Sequence, residues 1–318
     1  MIADSWAKMG PGVEFDLIRR MAARWGDLVQ QAGDDAAILE VAHGARLVAS
    51  TDSSVEGVHF RREWLSLQEI GYRATVAALS DLAAMAADAV GLLIAATIPA
   101  GIAETIEQLA DGIGQAARDS GCPIVGGDLT GGDRISLTMT VLGAANPPIS
   151  RSGAKVGDRV WVTGRLGGPG AAVRALLSGQ LPSAEHWPRF AHPVARLAEA
   201  RWLAEHGATA MIDLSDGLSS DARHLAAASG VALEIDVTTV PCVPDVMPRA
   251  ACASGEEYEL LLTAPDEFDV DTFLSRFAIP VTQVGIVVER ADDSESDVTF
   301  IEDGARVDLA AGYDHFSA

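Results

Sequence analysis

Four apolar runs in this chain end in aspartates flanked by glycine or serine, and that recurrence limits what the chain can build. The fullest case is Ala45 to Ala49, followed by Ser50-Thr51-Asp52-Ser53-Ser54-Val55-Glu56-Gly57-Val58-His59-Phe60. The others are Gly33-Asp34-Asp35, Gly126-Gly127-Asp128 and Ile212-Asp213-Leu214-Ser215-Asp216-Gly217. A hydrophobic strand that delivers such a cluster holds a site on a rigid element. Strands also end in ordinary polar turns, but four repeats of one design point to chemistry.

The remaining composition narrows the partners. A net charge of −22 over 318 residues argues against nucleic acid and against an anionic membrane, which both need basic patches. Part of that charge is a solubilising surface. Aspartates that follow apolar strands are different, because a carboxylate there needs a partner, and divalent cations supply one. No apolar stretch approaches the roughly 20 residues of a membrane helix. The start, MIADSWAKMGPGVEF, has no basic region followed by an apolar one, so a cytoplasmic protein is expected. Three cysteines without a CxxC pair read as reduced thiols rather than a disulfide or zinc site.

Periodicity predicts a helix over 14–31, then a hairpin of two strands, Ala36 to Val41 and Arg46 to Ser50. A long helix follows over 67–87, with Ser66 and Glu69 at capping-box spacing. It holds one acid, Asp81, among small and apolar neighbours, with no base at i±4. A ligand role and an exposed or ion-paired role both remain open for it. Asn146-Pro147-Pro148 is the clearest linker and sets the expected boundary between domains 1–147 and 148–318. In the second domain, Gly164-Arg165-Leu166-Gly167-Gly168-Pro169-Gly170 leads into a helix over 171–178. It is either a phosphate cradle of backbone amides or a plain turn, and it lacks the P-loop pattern. Asp216 can cap the helix that begins near Leu218, whereas Asp213 at the strand end has no structural role of that kind.

Asp35, Asp52, Asp81, Asp128, Asp213 and Asp216 together suit Mg²⁺, which takes carboxylates, waters and phosphates. Phosphoryl transfer needs charge neutralisation and alignment more than a covalent protein group. Clustered acids also repel unless cations lie between them, so metal-dependent stability is expected. A glycosidase needs only one carboxylate pair. No Gly-x-Ser-x-Gly marks a hydrolase, and His59 is the one histidine within a candidate cluster.

Taken in order, these clusters resemble the thiamine-monophosphate kinase family. To the four above are added Leu79-Ser80-Asp81-Leu82-Ala83-Ala84-Met85, Arg151-Ser152-Gly153-Ala154, Gly255-Glu256-Glu257-Tyr258-Glu259-Leu260 and Gly312-Tyr313-Asp314-His315-Phe316. The resemblance implies the two-domain α+β fold of aminoimidazole ribonucleotide synthetase. In it the N-terminal ATP- and Mg-binding domains pair in a homodimer to form a β-barrel, and a C-terminal α/β domain covers the site. It implies ATP-dependent phosphorylation of thiamine monophosphate to thiamine diphosphate by direct in-line transfer. By matching positions, Asp35, Ser50, Thr51, Asp52, Asp81, Asp128, Asp213 and Asp216 would hold several Mg²⁺ ions. Gly127, Asp128, Arg151 and Ser215 would contact ATP, and His59, Glu256 and Tyr313 thiamine monophosphate, with no residue as covalent catalyst.

The chain departs from the family at Leu129, where threonine is usual, at Ser53-Ser54, and at Glu257, where aspartate is usual. Selenophosphate synthetase is disfavoured because the first cysteine is Cys122, and the hydrogenase maturation protein because the chain ends His315-Phe316-Ser317-Ala318. A non-catalytic Mg²⁺–nucleotide binder is the alternative of another class.

Overall fold

A computed structural model of the chain describes residues 13–29, 39–265, 267–291 and 297–310. They form two compact units, Met1–Leu82 with Ala87–Pro148, and Ile149–Ala318 with Ala83–Ala86.

The first unit contains α1 (Val13–Trp25), β1 (Arg46–Val55), α2 (Leu67–Ala84), β2 (Asp88–Ile98), α3 (Ile106–Asp119), β3 (Ile124–Gly131) and β4 (Ser136–Ala145). Its sheet has the order β1-β4-β2-β3, with β2–β3 parallel and the other pairs antiparallel. Among the described residues the expected hairpin is not seen. Residues 39–41 are irregular, 36–38 lie outside the described residues, and β1 pairs along its length with β4. Strand alternation turns Leu137, Met139 and Val141 of β4 inward, all essentially buried, toward the side where the Leu82 side chain of α2 abuts Gly143. Leu47, Ala49, Thr51 and Ser53 of β1 lie on the other face and are exposed.

Two helices meet closely on the inner side. A Cβ at Gly112 of α3 would lie 1.8 Å from the Gln68 carbonyl oxygen of α2, so only glycine lets these backbones approach. α1 is fastened to α3 by bidentate pairs, Arg20 with Glu107 and Arg24 with Asp111. The Trp25 indole also donates to the Ala110 carbonyl at 2.8 Å. The capping box of α2 forms as its spacing predicts: the Ser66 amide donates to Glu69 at 2.8 Å and the Glu69 amide to the Ser66 hydroxyl at 3.2 Å.

The second unit contains β5 (Arg159–Thr163), α4 (Gly168–Leu177), α5 (Trp187–Ala191), α6 (Leu197–Glu205), β6 (Ala210–Asp213), α7 (Leu218–Ser229) and β7 (Ala232–Asp236). It continues with α8 (Pro248–Cys252), β8 (Leu260–Ala264), α9 (Val270–Phe277), β9 (Val281–Val288), β10 (Val298–Glu302) and β11 (Ala305–Val307). Its sheet runs β11-β10-β7-β9-β5-β8-β6. Among the described residues only β7–β10 is parallel, so this sheet is mixed and mainly antiparallel. Its core joins Val160, Val162, Ile212, Leu261 and Val284 of the strands to Leu218, Ala222 and Leu225 of α7. Each fully buried leucine or isoleucine there contributes roughly 1.5–3 kcal/mol. β6, at the edge of the sheet, is buried along its whole length and ends in Asp213.

Candidate functional site

In the first unit, β1 carries three of the predicted residues and its pleat separates them. Asp52 is in register with buried Met139, and Ser50 with Val141, so both point to the inner face. There the Ser50 hydroxyl donates to the Asp81 carboxylate of α2 at 2.5 Å. Thr51 faces the other way and shares a hydroxyl contact with Thr140 at 3.0 Å. Asp128 of β3 is in register with Ala95, which pairs with Thr138 and so belongs to the face of Thr51 and Ser53. The structure thus unites Ser50, Asp52 and Asp81 and sets Asp128 with Thr51 on the opposite face. Gly127 has a backbone reason to be glycine, since a Cβ there would sit 2.0 Å from the Ile94 carbonyl oxygen. Asp35 lies outside the described residues.

The turn after β1 positions His59. Its Nδ1 accepts the Val55 amide at 3.1 Å, which leaves the proton of the neutral ring on Nε2. Glu56 braces the same turn with both oxygens, one accepting from Arg62 at 2.6 Å and the other from the Ile135 amide at 3.0 Å. Burial pushes the Glu56 carboxyl up, but the Ile135 amide and the Arg62 guanidinium outweigh it and hold it below the ordinary range.

In the second unit, Asp213 ends β6 only 3% exposed, and Asp216 follows in the turn that opens α7. The capping role open to Asp216 is not taken up. Gly217 holds the N-cap position of α7 without a side-chain cap. Asp221, one turn inside the helix, reaches back to accept the amides of Asp216 at 3.1 Å and Gly217 at 3.0 Å. Asp221 is itself 2% exposed. Burial, with repulsion from Asp213 and Asp216, pushes its carboxyl up to about 8. Sequence reasoning missed Asp221, although an acid in the first turn of a helix is a readable signal. With His224 on the next turn, Asp216 and Asp221 place ligand atoms within 4.8 Å of one another. The crowded carboxylate oxygens of Asp216 and Asp221 are hard donors of the kind that Mg²⁺ takes.

Glu256 is brought to this turn. Its amide donates to the Ser215 carbonyl at 2.6 Å, and that of Tyr258 to Leu214 at 2.9 Å. Arg151 is not brought there. The Arg151 carbonyl accepts the hydroxyl of Ser229, the last residue of α7, roughly 17 Å along the helix from the turn at 1.5 Å per residue. Tyr313 lies outside the described residues. The glycine-rich run is no open cradle. α4 starts inside it at Gly168, and the amides of Gly167 and Gly170 are taken by Glu257 at 2.6 Å and the Ser254 hydroxyl at 2.9 Å.

Comparison with known proteins places these features in a family. The family models described as "AIR synthase related protein", N-terminal and C-terminal domains, match residues 33–145 and 155–297. The thiamine-monophosphate kinase of Salmonella typhimurium is 34% identical, over 96% of this chain and 98% of its own. The crystal structure of thiamine-monophosphate kinase from Stenotrophomonas maltophilia superposes with a TM-score of 0.80 at 29% identity, covering 94% of this chain and 98% of that one. A structure described as AaThiL complexed with AMPPCP and TMP gives 0.74 at 28% identity, covering 95% of each. These relatives cover 94–96% of the chain, and the carboxylate-bearing turns lie within the spans that the family models match. The chain belongs to the thiamine-monophosphate kinase family, on the two-domain fold of the AIR synthase related proteins.

Proposed function

We propose that the chain phosphorylates thiamine monophosphate with ATP, giving thiamine diphosphate and ADP as the last step of thiamine diphosphate formation. The observation that carries this reading is the crowding of Asp213, Asp216 and Asp221 where a buried strand end meets a helix start. A carboxylate cluster there invites a hard cation, and the helix N-terminus favours phosphate. Mg²⁺, when bound, neutralises phosphate charge. The residues assigned to it are Ser50, Thr51, Asp52, Asp81 and Asp128 in the first unit, Asp213 and Asp216 in the second, and Asp35.

In the transfer, a phosphate oxygen of the substrate attacks the γ-phosphorus in line. The bond from that phosphorus to the β–γ bridging oxygen breaks, and ADP leaves. No side chain forms a covalent intermediate. His59, with Nδ1 committed to the Val55 amide, offers Nε2–H to the substrate phosphate. Glu256 and Tyr313 hold the heterocyclic part, and Gly127, Asp128 and Ser215 hold ATP, while Arg151, whose backbone lies at the far end of α7, is left out of that set. The enzyme works as a cytoplasmic homodimer, a reading supported by the exposed face of the four-stranded sheet.

The test is incubation with ATP, Mg²⁺ and thiamine monophosphate, followed by chromatography for thiamine diphosphate. Controls omit the metal or supply free thiamine. Product that requires both Mg²⁺ and the monophosphate supports the proposal. ATP bound without any product would make the chain a nucleotide binder, and turnover only with other phosphorylated substrates would move it to another member of the fold.

A further inference from the structure

The segment Gly255 to Glu259 is held in an unusual backbone. Glu256 and Tyr258, neither of them glycine, have φ of 60° and 52°. Such residues persist only where the surroundings over-determine them. One side of that constraint is the turn after β6, through the Glu256–Ser215, Tyr258–Leu214 and Leu214–Glu259 backbone hydrogen bonds. The other side is the residue between the two strained positions. Glu257 is 7% exposed, and its carboxyl accepts the Gly167 amide at the start of α4 at 2.6 Å. Ser254, 2% exposed, accepts the Gly170 amide one turn on and also bonds to Glu257. Two residues later, Glu259 is locked to Arg196 at 2.5 and 2.9 Å and accepts the Thr163 hydroxyl at 2.7 Å.

We propose that Glu257 is a positioning residue for the transfer, tying α4 to the 255–258 segment and thereby holding Glu256 beside Ser215. This rests on the reading above, in which Glu256 meets thiamine monophosphate. The glycine-rich run then has a role other than binding phosphate: it presents two amides to the chain's own Glu257 and Ser254. Glu257 stands where the family usually has aspartate, and the longer arm is the one seen reaching Gly167. Burial pushes its carboxyl up to about 8, so near neutral pH it is largely protonated and a glutamine amide is its near match.

The experiment compares the full chain with Glu257→Gln, which keeps an acceptor for Gly167, and Glu257→Met, which keeps the volume without it. KM and kcat are measured separately for thiamine monophosphate and for ATP, with thermal melting as a check on folding. Glu257→Met is expected to raise the KM for thiamine monophosphate roughly 10–100-fold while leaving that for ATP in place. Glu257→Gln is expected to restore the parent value. An unchanged KM in folded Glu257→Met, an equal rise for both substrates, or a Gln variant as defective as Met would each overturn the proposal. Should Glu257→Met not fold, Glu257→Leu, smaller and likewise without an acceptor for Gly167, carries the same comparison.

If the parent chain does not turn over thiamine monophosphate, the functional reading fails by itself. Amide hydrogen exchange then decides this one. Exchange across 164–170 and 253–259 should quicken in Glu257→Met and not in Glu257→Gln, and equal exchange in the two variants overturns it.

Discussion

Glu56 uses each carboxylate oxygen for a different element, Arg62 in the turn after β1 and the Ile135 amide before β4. Its folded-state pKa lies below the ordinary value, so its stabilisation is complete above the unfolded pKa of about 4.3 and is lost as pH falls through the lower folded value. Glu56→Gln should therefore melt below the parent at pH 7, and the gap should close on acidification. A pH series of melts by circular dichroism measures this, and a gap that stays constant down to pH 3 would remove the charge from the account. Asp52 is the counterpart on the chemical side. It sits on the inner face with Ser50 and Asp81, and Asp52→Asn changes one oxygen to nitrogen at nearly constant shape. Turnover should fall roughly 10²–10³-fold with little change in melting. Near-normal activity in the folded variant would take Asp52 out of the metal site.

At the scale of elements, the capping box shows what local sequence can specify. Ser66 and Glu69 satisfy each other's amides at the start of α2, the helix that carries Asp81. Ser66→Ala should cost about 1 kcal/mol in urea unfolding of the first unit. The buried Arg196–Glu259 pair is a larger case, with both partners shielded from water. Arg196→Leu should cost about 3 kcal/mol, because Glu259 is left buried with only the more distant Arg189, at 4.0 Å, as its cation. Features set by neighbours in sequence were legible in this way, among them the start of α7 at Leu218. Features set by distant partners were not. β1 finds its partner in β4, some 90 residues on, a pairing that no local pattern in the sequence announces. α4 begins at Gly168 because Glu257 and Ser254, remote in sequence, take its first amides. Asp216 looked like a cap by spacing, yet Asp221 lies deeper and reaches both free amides. The aspartates were visible as clusters, whereas the division of Thr51 and Asp128 from Ser50 and Asp52 needed the strand register.

At the scale of the whole molecule, the four-stranded sheet poses a question of closure. β1 stands at one end of its order and β3 at the other, so the sheet does not close on itself within the described residues. β1 is a ten-residue edge without proline, and Leu47 on its outer face is 57% exposed beside exposed Ala49. A long edge whose outer face carries Leu47, Ala49, Thr51 and Ser53 without a charge among them is a template for another strand. A second copy answers the edge and the closure together, because two four-stranded sheets give eight strands, the number at which a barrel interior is filled by side chains. The hydroxyl pairs Thr51–Thr140 and Ser53–Thr138 would line that interior while keeping their bonds to each other. The expected outcome is that the parent chain sediments as a dimer at micromolar concentration. Leu47→Glu, which puts a carboxylate on the closing face, should shift it to monomer while leaving the thermal unfolding of the second unit unchanged. A parent chain that sediments as a monomer at all concentrations would show that the open sheet is its working form.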